Sequence, residues 1–440
     1  MLFRFLLWET AVLLARSLGG CSTMGSFTHS FVRALVFSVA IVAVALPYIL
    51  VPINYLAAQD LSDGEDRFLL GDLGRKELSE RGYTFEAISV HDFWGNVQGG
   101  LQRNPGILGA LNVSLDVDTE KAKLWEDGQF FFYGLWFYGE RPNNAVGDFQ
   151  YTSNYDAPQG LELYQLWYAH NFLDDRVNVL FGIHDFTSEM GFVTTGFNLL
   201  NVSFAIAPAT IIQIPGSFFP QTSIGARVKF NWTDELYSYL GVYDGRPGNI
   251  DRPRSMSYGI SREGGLFSIG ELGWQSDEGA ERYGKVALGG WYSSATYNDL
   301  YNEERNSNFG SYLVAERQIF GEEGDSSQGL GVFMQLSQAS ASRNPISYYW
   351  GGGFAYTGLF ECRERDVLSF GFNSAHSSGA ARHLEDIQAS AFERAIELNY
   401  RVKVNEYLSV TPDVQYIVNP GLYPDIDRAV VVSVRAEVAL

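Results

Sequence analysis

Cysteine is nearly missing from this 440-residue chain, which has only Cys21 and Cys362. Two cysteines cannot build a disulfide framework or a cysteine-rich metal site. Charge is sparse too, at 19% of residues, and bases are the minority: 31 against 51 acids, for a formal charge of −20. So acidic a chain lacks the basic face that nucleic acid requires. Beyond residue 58 no apolar run is long enough for a membrane-spanning helix. Cofactor and metal motifs are also lacking, so none is expected. Gly351-Gly352-Gly353 is not followed by a helix, and His184-Asp185 and Asp116-Val117-Asp118 have no further ligands near them. What the chain does have is glycine (46) and aromatic residues (15%), a composition that excludes disorder.

Residues 34–51 form the one long apolar run. Arg33 and His29 precede it and Leu56-Ala57-Ala58 follow, the layout of a secretory signal peptide. Met24 stands where such a peptide begins, which makes residues 1–23 an upstream extension. The rival reading of the run is a transmembrane anchor. The chain therefore divides into an extension and signal peptide (1–58), a short periplasmic helical segment (59–82) and one large domain (83–440). The helical pattern covers 66–81, where Leu69, Leu70, Leu73 and Leu78 recur near helical spacing and Gly82 supplies a stop.

From residue 83 onward the pattern is that of strands about ten residues long with period-2 alternation. In 392–404, Ile396, Leu398, Tyr400, Val402 and Val404 alternate with Glu393, Glu397, Asn399, Arg401 and Lys403. In 428–440, Val430, Val432, Val434, Ala436 and Val438 alternate with Ser433, Arg435 and Glu437. An apolar face backed by an ionised one suits a sheet between lipid and water. Sixteen such segments can be placed. Links such as 173–175, 232–235 and 405–406 are short, whereas 140–160, 188–221 and 245–264 are long. Short turns on one rim and long loops on the other predict an all-β fold: a sixteen-stranded antiparallel transmembrane β-barrel with short periplasmic turns and long extracellular loops. The link 321–329 is middling for the short rim. Closure leaves no unpaired edge in lipid, and sixteen strands leave an aqueous lumen. The expected location is the bacterial outer membrane, with its lipid as a partner.

Several motifs resemble the carbohydrate-selective porins of the OprB type. Arg75 to Leu78 followed by Asn96-Val97-Gln98-Gly99-Gly100 is similar to that family's opening. Leu163 to Tyr168 resembles its "L-Y-E-L-W" strand, with Gln165 in place of the acid. Gly265-Leu266-Phe267 to Glu271 resembles "G-L-F-x-x-x-E", and Pro412-Asp413-Val414-Gln415-Tyr416-Ile417-Val418-Asn419-Pro420-Gly421 matches "P-D-x-Q-Y-I-x-N-P-G". The resemblance implies a porin that passes small neutral sugars by diffusion, often as a homotrimer. The chain departs from the pattern in ending at Leu440 rather than at an aromatic residue.

The link 188–221 is the expected functional centre. Glu189 is its only charge, and it contains Phe192, Phe197, Phe204, Phe218 and Phe219. A loop this long and apolar is expected to fold into the lumen and narrow it. Its aromatic faces suit sugar C–H surfaces, and its neutrality disfavours an ion filter. The alternative is an external loop packed on a neighbouring subunit. Together with Phe192, Phe197 and Phe204, parity assigns Arg227, Lys229, Glu271, Glu397, Arg401, Asp413, Gln415, Arg435 and Glu437 to the lumen and hence to the solute pathway. Two rival functions stand beside this one. A barrel hydrolase acting on lipid or polysaccharide would use Ser374, His376 and Asp413; a structural or adhesive barrel would use its long loops.

Overall fold

The computed structural model describes residues 68–440 apart from 206–207, 215, 248–263, 277–281, 301–303, 323–324 and 384–387. The signal-peptide reading and the start of the expected helix lie outside the described residues. Sixteen strands close into one barrel in which every neighbour is antiparallel. They are β1 (Tyr83–Gln98), β2 (Pro105–Asp118), β3 (Gly128–Gly139), β4 (Gly160–Phe172), β5 (Val177–His184), β6 (Ser223–Asn231), β7 (Leu236–Asp244) and β8 (Leu266–Gln275), then β9 (Gly284–Asn298), β10 (Glu304–Glu322), β11 (Asp325–Ala339), β12 (Ile346–Thr357), β13 (Val367–Ser377), β14 (Phe392–Lys403), β15 (Leu408–Val418) and β16 (Ala429–Ala439). Each expected segment overlaps one of these strands in order. The middling link on the short rim disappears, because β10 and β11 pair down to Glu322 and Asp325. Closure is made by β1 and β16, from Ile88↔Ala439 to Gln98↔Val430.

Alternation decides which side each residue faces. On β16, Ala429, Val431, Ser433 and Arg435 are buried while Val430, Val432 and Val434 are half-exposed. The outer wall presents Leu161, Phe181, Leu240, Leu272 and Leu288, each more than half exposed. Trp125 and Trp232, also exposed, lie in the short-turn links. An apolar band with aromatics at its edges is the surface expected in lipid.

Helix α1 is shorter than the leucine pattern predicts, spanning Arg75–Glu80. Asp72 accepts hydrogen bonds from the Gly74 and Lys76 amides, and Gly71, Leu73 and Gly74 have positive φ, so the chain turns before it coils. Leu70, Leu73 and Leu78 find no core and stay exposed. Gly82, at φ 87°, ends the segment as its residue type suggests. The Leu69 amide donates to the Ala439 carbonyl, which holds this segment to the end of β16.

Pro412 lies inside β15. The β14–β15 ladder is interrupted between Asn399↔Asp413 and Val402↔Val410, so the missing proline N–H coincides with a gap in the pairing.

Candidate functional site: a loop inside the barrel

β5 stops at His184, and residues 185–222 turn into the lumen instead of continuing outward. Asp185 starts the turn. Its carboxylate accepts from the Thr187 amide and hydroxyl at 2.7 Å and from the Tyr164 hydroxyl. Gln165 supports it from β4: its Oε1 accepts from the Asp185 amide (3.3 Å) and from Trp167 Nε1 (3.1 Å). A carboxamide oxygen thus does here what an acid could do as acceptor. Ser217 closes the loop by donating to the His184 carbonyl and accepting from the Ser223 amide.

Phe186, Met190, Val193, Leu199, Phe204, Ile211 and Ile214 from this loop are buried. They pack against inward residues of the wall, including Tyr243, Phe267, Trp291, Tyr312 and Phe333. This apolar cluster lies inside the barrel and replaces water that a bare lumen would hold. A glycine makes room for it: a Cβ at Gly371 would lie 2.6 Å from Leu199 and 2.8 Å from Phe204.

Wall carboxylates then fix the loop's backbone. Glu271 accepts from the Gly191 amide at 2.8 Å, and from Tyr312 and Tyr237 hydroxyls. Glu316 accepts from the Thr194 and Thr195 amides at 2.9 and 2.8 Å. Glu397 accepts from the Leu200 and Asn201 amides at 2.5 and 3.0 Å. Buried main-chain donors need such acceptors, and a charged one binds about twice as strongly as a neutral one. Loop 140–159 is held in the same way, by Glu393 on the Phe149 and Gln150 amides. The two loops also join directly, Asn154 amide to Leu200 carbonyl and Val202 amide to Tyr151 carbonyl.

The other expected pathway residues are spread around the lumen. Asp413 and Gln415 are buried beside Glu397. Gln415 donates to the Thr152 carbonyl and Asp413 accepts from Ser433. Arg435 forms a two-point ion pair with Asp92 at 2.6 and 2.8 Å and reaches Asn154. Arg401 and Glu437 pair at 3.5 Å and are more open. Phe204 is fully buried in the loop core, whereas Phe197 is 46% exposed and its ring lies 6.0 Å from that of Phe192.

Phe192, Arg227 and Lys229 come together at the short-turn side of the loop. A cavity of about 620 Å³ opens there, lined by Glu189, Phe192, Lys229, Trp232, Tyr237, Tyr239 and Lys285 among others. A second, of about 340 Å³, adjoins it and reaches Gln129, Trp167, Asn178 and Arg227. Arg227 is tied to both oxygens of Glu189, and His184 Nε2 lies 3.3 Å from the same carboxylate. Burial alone would raise the Glu189 carboxyl, but hydrogen bonds and charge from His184 and Arg227 outweigh it and hold the pKa at about 2. Lys285 sits 3.6 Å from the Phe192 ring centroid and donates to the Phe192 carbonyl. The Lys229 ammonium lies 5.5 Å from the Tyr239 ring centroid, with no hydrogen bond or ion pair among the described residues. In loop 140–159 the opposite shift occurs: burial, then Glu393 and Asp156, push the Asp148 carboxyl well up.

Sequence reasoning missed Glu316, Glu393, Asp92, Lys285 and Tyr239 as site residues. Inward parity on β1, β7, β9, β10 and β14 could have found them.

The triad of the hydrolase reading is not assembled. Ser374 and His376 lie 3.0 Å apart on the outer face of β13, while Asp413 points into the lumen.

A closed sixteen-stranded barrel with an inward-folded loop above a polar cavity is a porin of the outer membrane. The carbohydrate-selective porin family, OprB type, matches residues 103–440, and the chain belongs to that family. Porin B of Pseudomonas aeruginosa is 26% identical over 417 residues, covering 84% of this chain and 91% of that protein. Putative porin QuiX of Acinetobacter baylyi is 23% identical over 423 residues, covering 84% and 93%. The high-pH structure of Pseudomonas putida OprB covers 87% of this chain and all of its own length, with a TM-score of 0.78 at 21% identity. The low-pH structure of the same porin gives a TM-score of 0.57 at 20% identity, with 86% and 100% covered. The protein is thus a carbohydrate-selective channel and not an enzyme.

Proposed function

We propose that sugars pass between loop 185–222 and the wall formed by β5–β9, and that the cavity on the short-turn side is where they are last held. One observation carries this reading: that cavity combines aromatic faces (Phe192, Tyr237, Tyr239) with hydrogen-bonding groups (Glu189, Lys229, Asn231) in about 620 Å³. Aromatic faces take the C–H surface of a sugar ring, and the polar groups take its hydroxyls. Charges of both signs favour a neutral, polyhydroxylated solute over an ion of either sign. Phe192→Ala should weaken sugar block of ion current about two- to tenfold, a stacking contribution of roughly 0.5–1.5 kcal/mol. Liposome swelling by monosaccharides should accompany it. Block unchanged in Phe192→Ala would place the sugar elsewhere in the lumen.

The same reading extends to partners. Outer-membrane lipid covers the apolar band. A homotrimer would bury the outer face of β1–β3, where His91 and Tyr138 share a 2.7 Å hydrogen bond, because polar groups facing lipid are costly. The mass of the detergent-solubilised assembly tests this. Residues 59–82 are proposed to lie on the periplasmic side, with the short turns.

A further inference from the structure

The outer surface at the long-loop rim carries a polar cluster that conduction does not use. Ladder pairs align Trp350, Ser374, Arg394 and Val418 in one outward row across β12–β15, with Tyr348, His376 and Phe392 in the next row toward the rim. Arg394 Nε donates to Ser374 Oγ at 3.3 Å, and its guanidinium lies 3.8 Å from the Phe392 ring centroid. Arg428, from the β15–β16 link, donates to the outward Tyr416 hydroxyl at 3.0 Å. Arg382, in helix α2 (Gly379–Arg382) of the β13–β14 link, donates to the Ser378 carbonyl at 3.5 Å. None of these three arginines has a carboxylate partner among the described residues, although Asp425 and Asp427 share the link with Arg428. Toward mid-membrane the wall turns apolar through Phe372, Phe370, Phe354, Leu398 and Val414.

Among the described residues, arginines without a carboxylate partner are unexpected in a chain with twenty more acids than bases. Arginine in this state offers a planar donor fork that fits phosphate. The apolar and aromatic wall beneath would accept acyl chains. We propose that Arg394 and Arg428, with His376, bind the phosphate of a phosphorylated lipid in the outer leaflet. The ligand is an amphiphile because head and tail contacts lie on one continuous outward surface at the loop rim, away from the lumen.

Full-length porin in mild detergent would be titrated with bis-phosphorylated lipid A and with the dephosphorylated lipid, and bound lipid counted by native mass spectrometry. The phosphorylated lipid should be retained roughly tenfold better, the difference charge-assisted hydrogen bonds make. Arg394→Gln/Arg428→Gln should lower retention by a similar factor, with single-channel conductance unchanged. Equal retention of the two lipids by the unaltered porin would overturn the proposal, even if the variant fails to assemble. Loss of an oligomer in the variant would also overturn it, since the face would then contact another copy of the chain.

Discussion

Two parts of the inner wall carry ionisable side chains and use them in opposite ways. In one, Glu271, Glu316 and Glu397 are buried and bonded to amides of loop 185–222, and Arg435 is buried on Asp92. In the other, Lys229, aligned with Glu271 through Tyr239, has no hydrogen bond or ion pair among the described residues and lies over the Tyr239 ring beside an open cavity. Both sets lie on inward-facing parity positions. The lesson is that parity assigns a residue to the lumen, while a folded-in loop decides whether it meets solute or main chain.

The largest effect should come from Arg435→Ala, which leaves Asp92 buried without its partner. A loss of about 3–5 kcal/mol is expected, seen as a lower unfolding temperature of the barrel in detergent. Glu397→Ala should cost somewhat less, about 2–4 kcal/mol, because two loop amides lose a charged acceptor. It should also add open-channel noise as the loop loosens, and Glu397→Gln should recover part of both effects.

A third, smaller effect depends on pH. The Glu189 pKa is depressed to about 2 from an ordinary 4.5, so its contribution is fully present above pH 4.5 and is lost as pH falls toward 2. It amounts to at most about 3 kcal/mol. Glu189→Gln should therefore destabilise the porin at pH 7 and make little difference near pH 2. Asp148 has the reverse sign: its carboxyl is raised, so its stabilising state is the neutral one, lost as pH rises. Asp148→Asn should be tolerated best at alkaline pH. The smallest structural effect belongs to Lys229→Gln. Stability should not change, while the ratio of cation to anion permeability from reversal potentials should rise. A stability loss like that of Glu397→Ala would erase the distinction between the two parts of the wall.

Much of the barrel was legible because lipid outside and water inside impose period 2 on every strand. Val430, Val432 and Val434 against Ser433 and Arg435 is the plainest case. The motifs shared with the family prove to be loop anchors. Asn96 donates to the Gly99, Gln102 and Ala145 carbonyls, while Gln415 joins Thr152 and Asn201. The charge of loop 188–221 was legible too, since Glu189 is alone there. What the sequence did not display was pairing across long separations. Glu316 meets Thr195, and Arg435 meets Asp92, only once the barrel has closed. Nor could it separate Phe204, sealed in the loop core, from Phe192, which lines the cavity.

Loop 185–222 occupies the lumen and is pinned there by wall carboxylates. Deleting residues 194–205, which include its contacts to Glu316 and Glu397 and the buried Phe204, tests it most directly by single-channel recording in planar bilayers. Conductance should rise, and discrimination between sugars and uncharged non-sugars of similar size should weaken. Unchanged conductance and unchanged discrimination would contradict it.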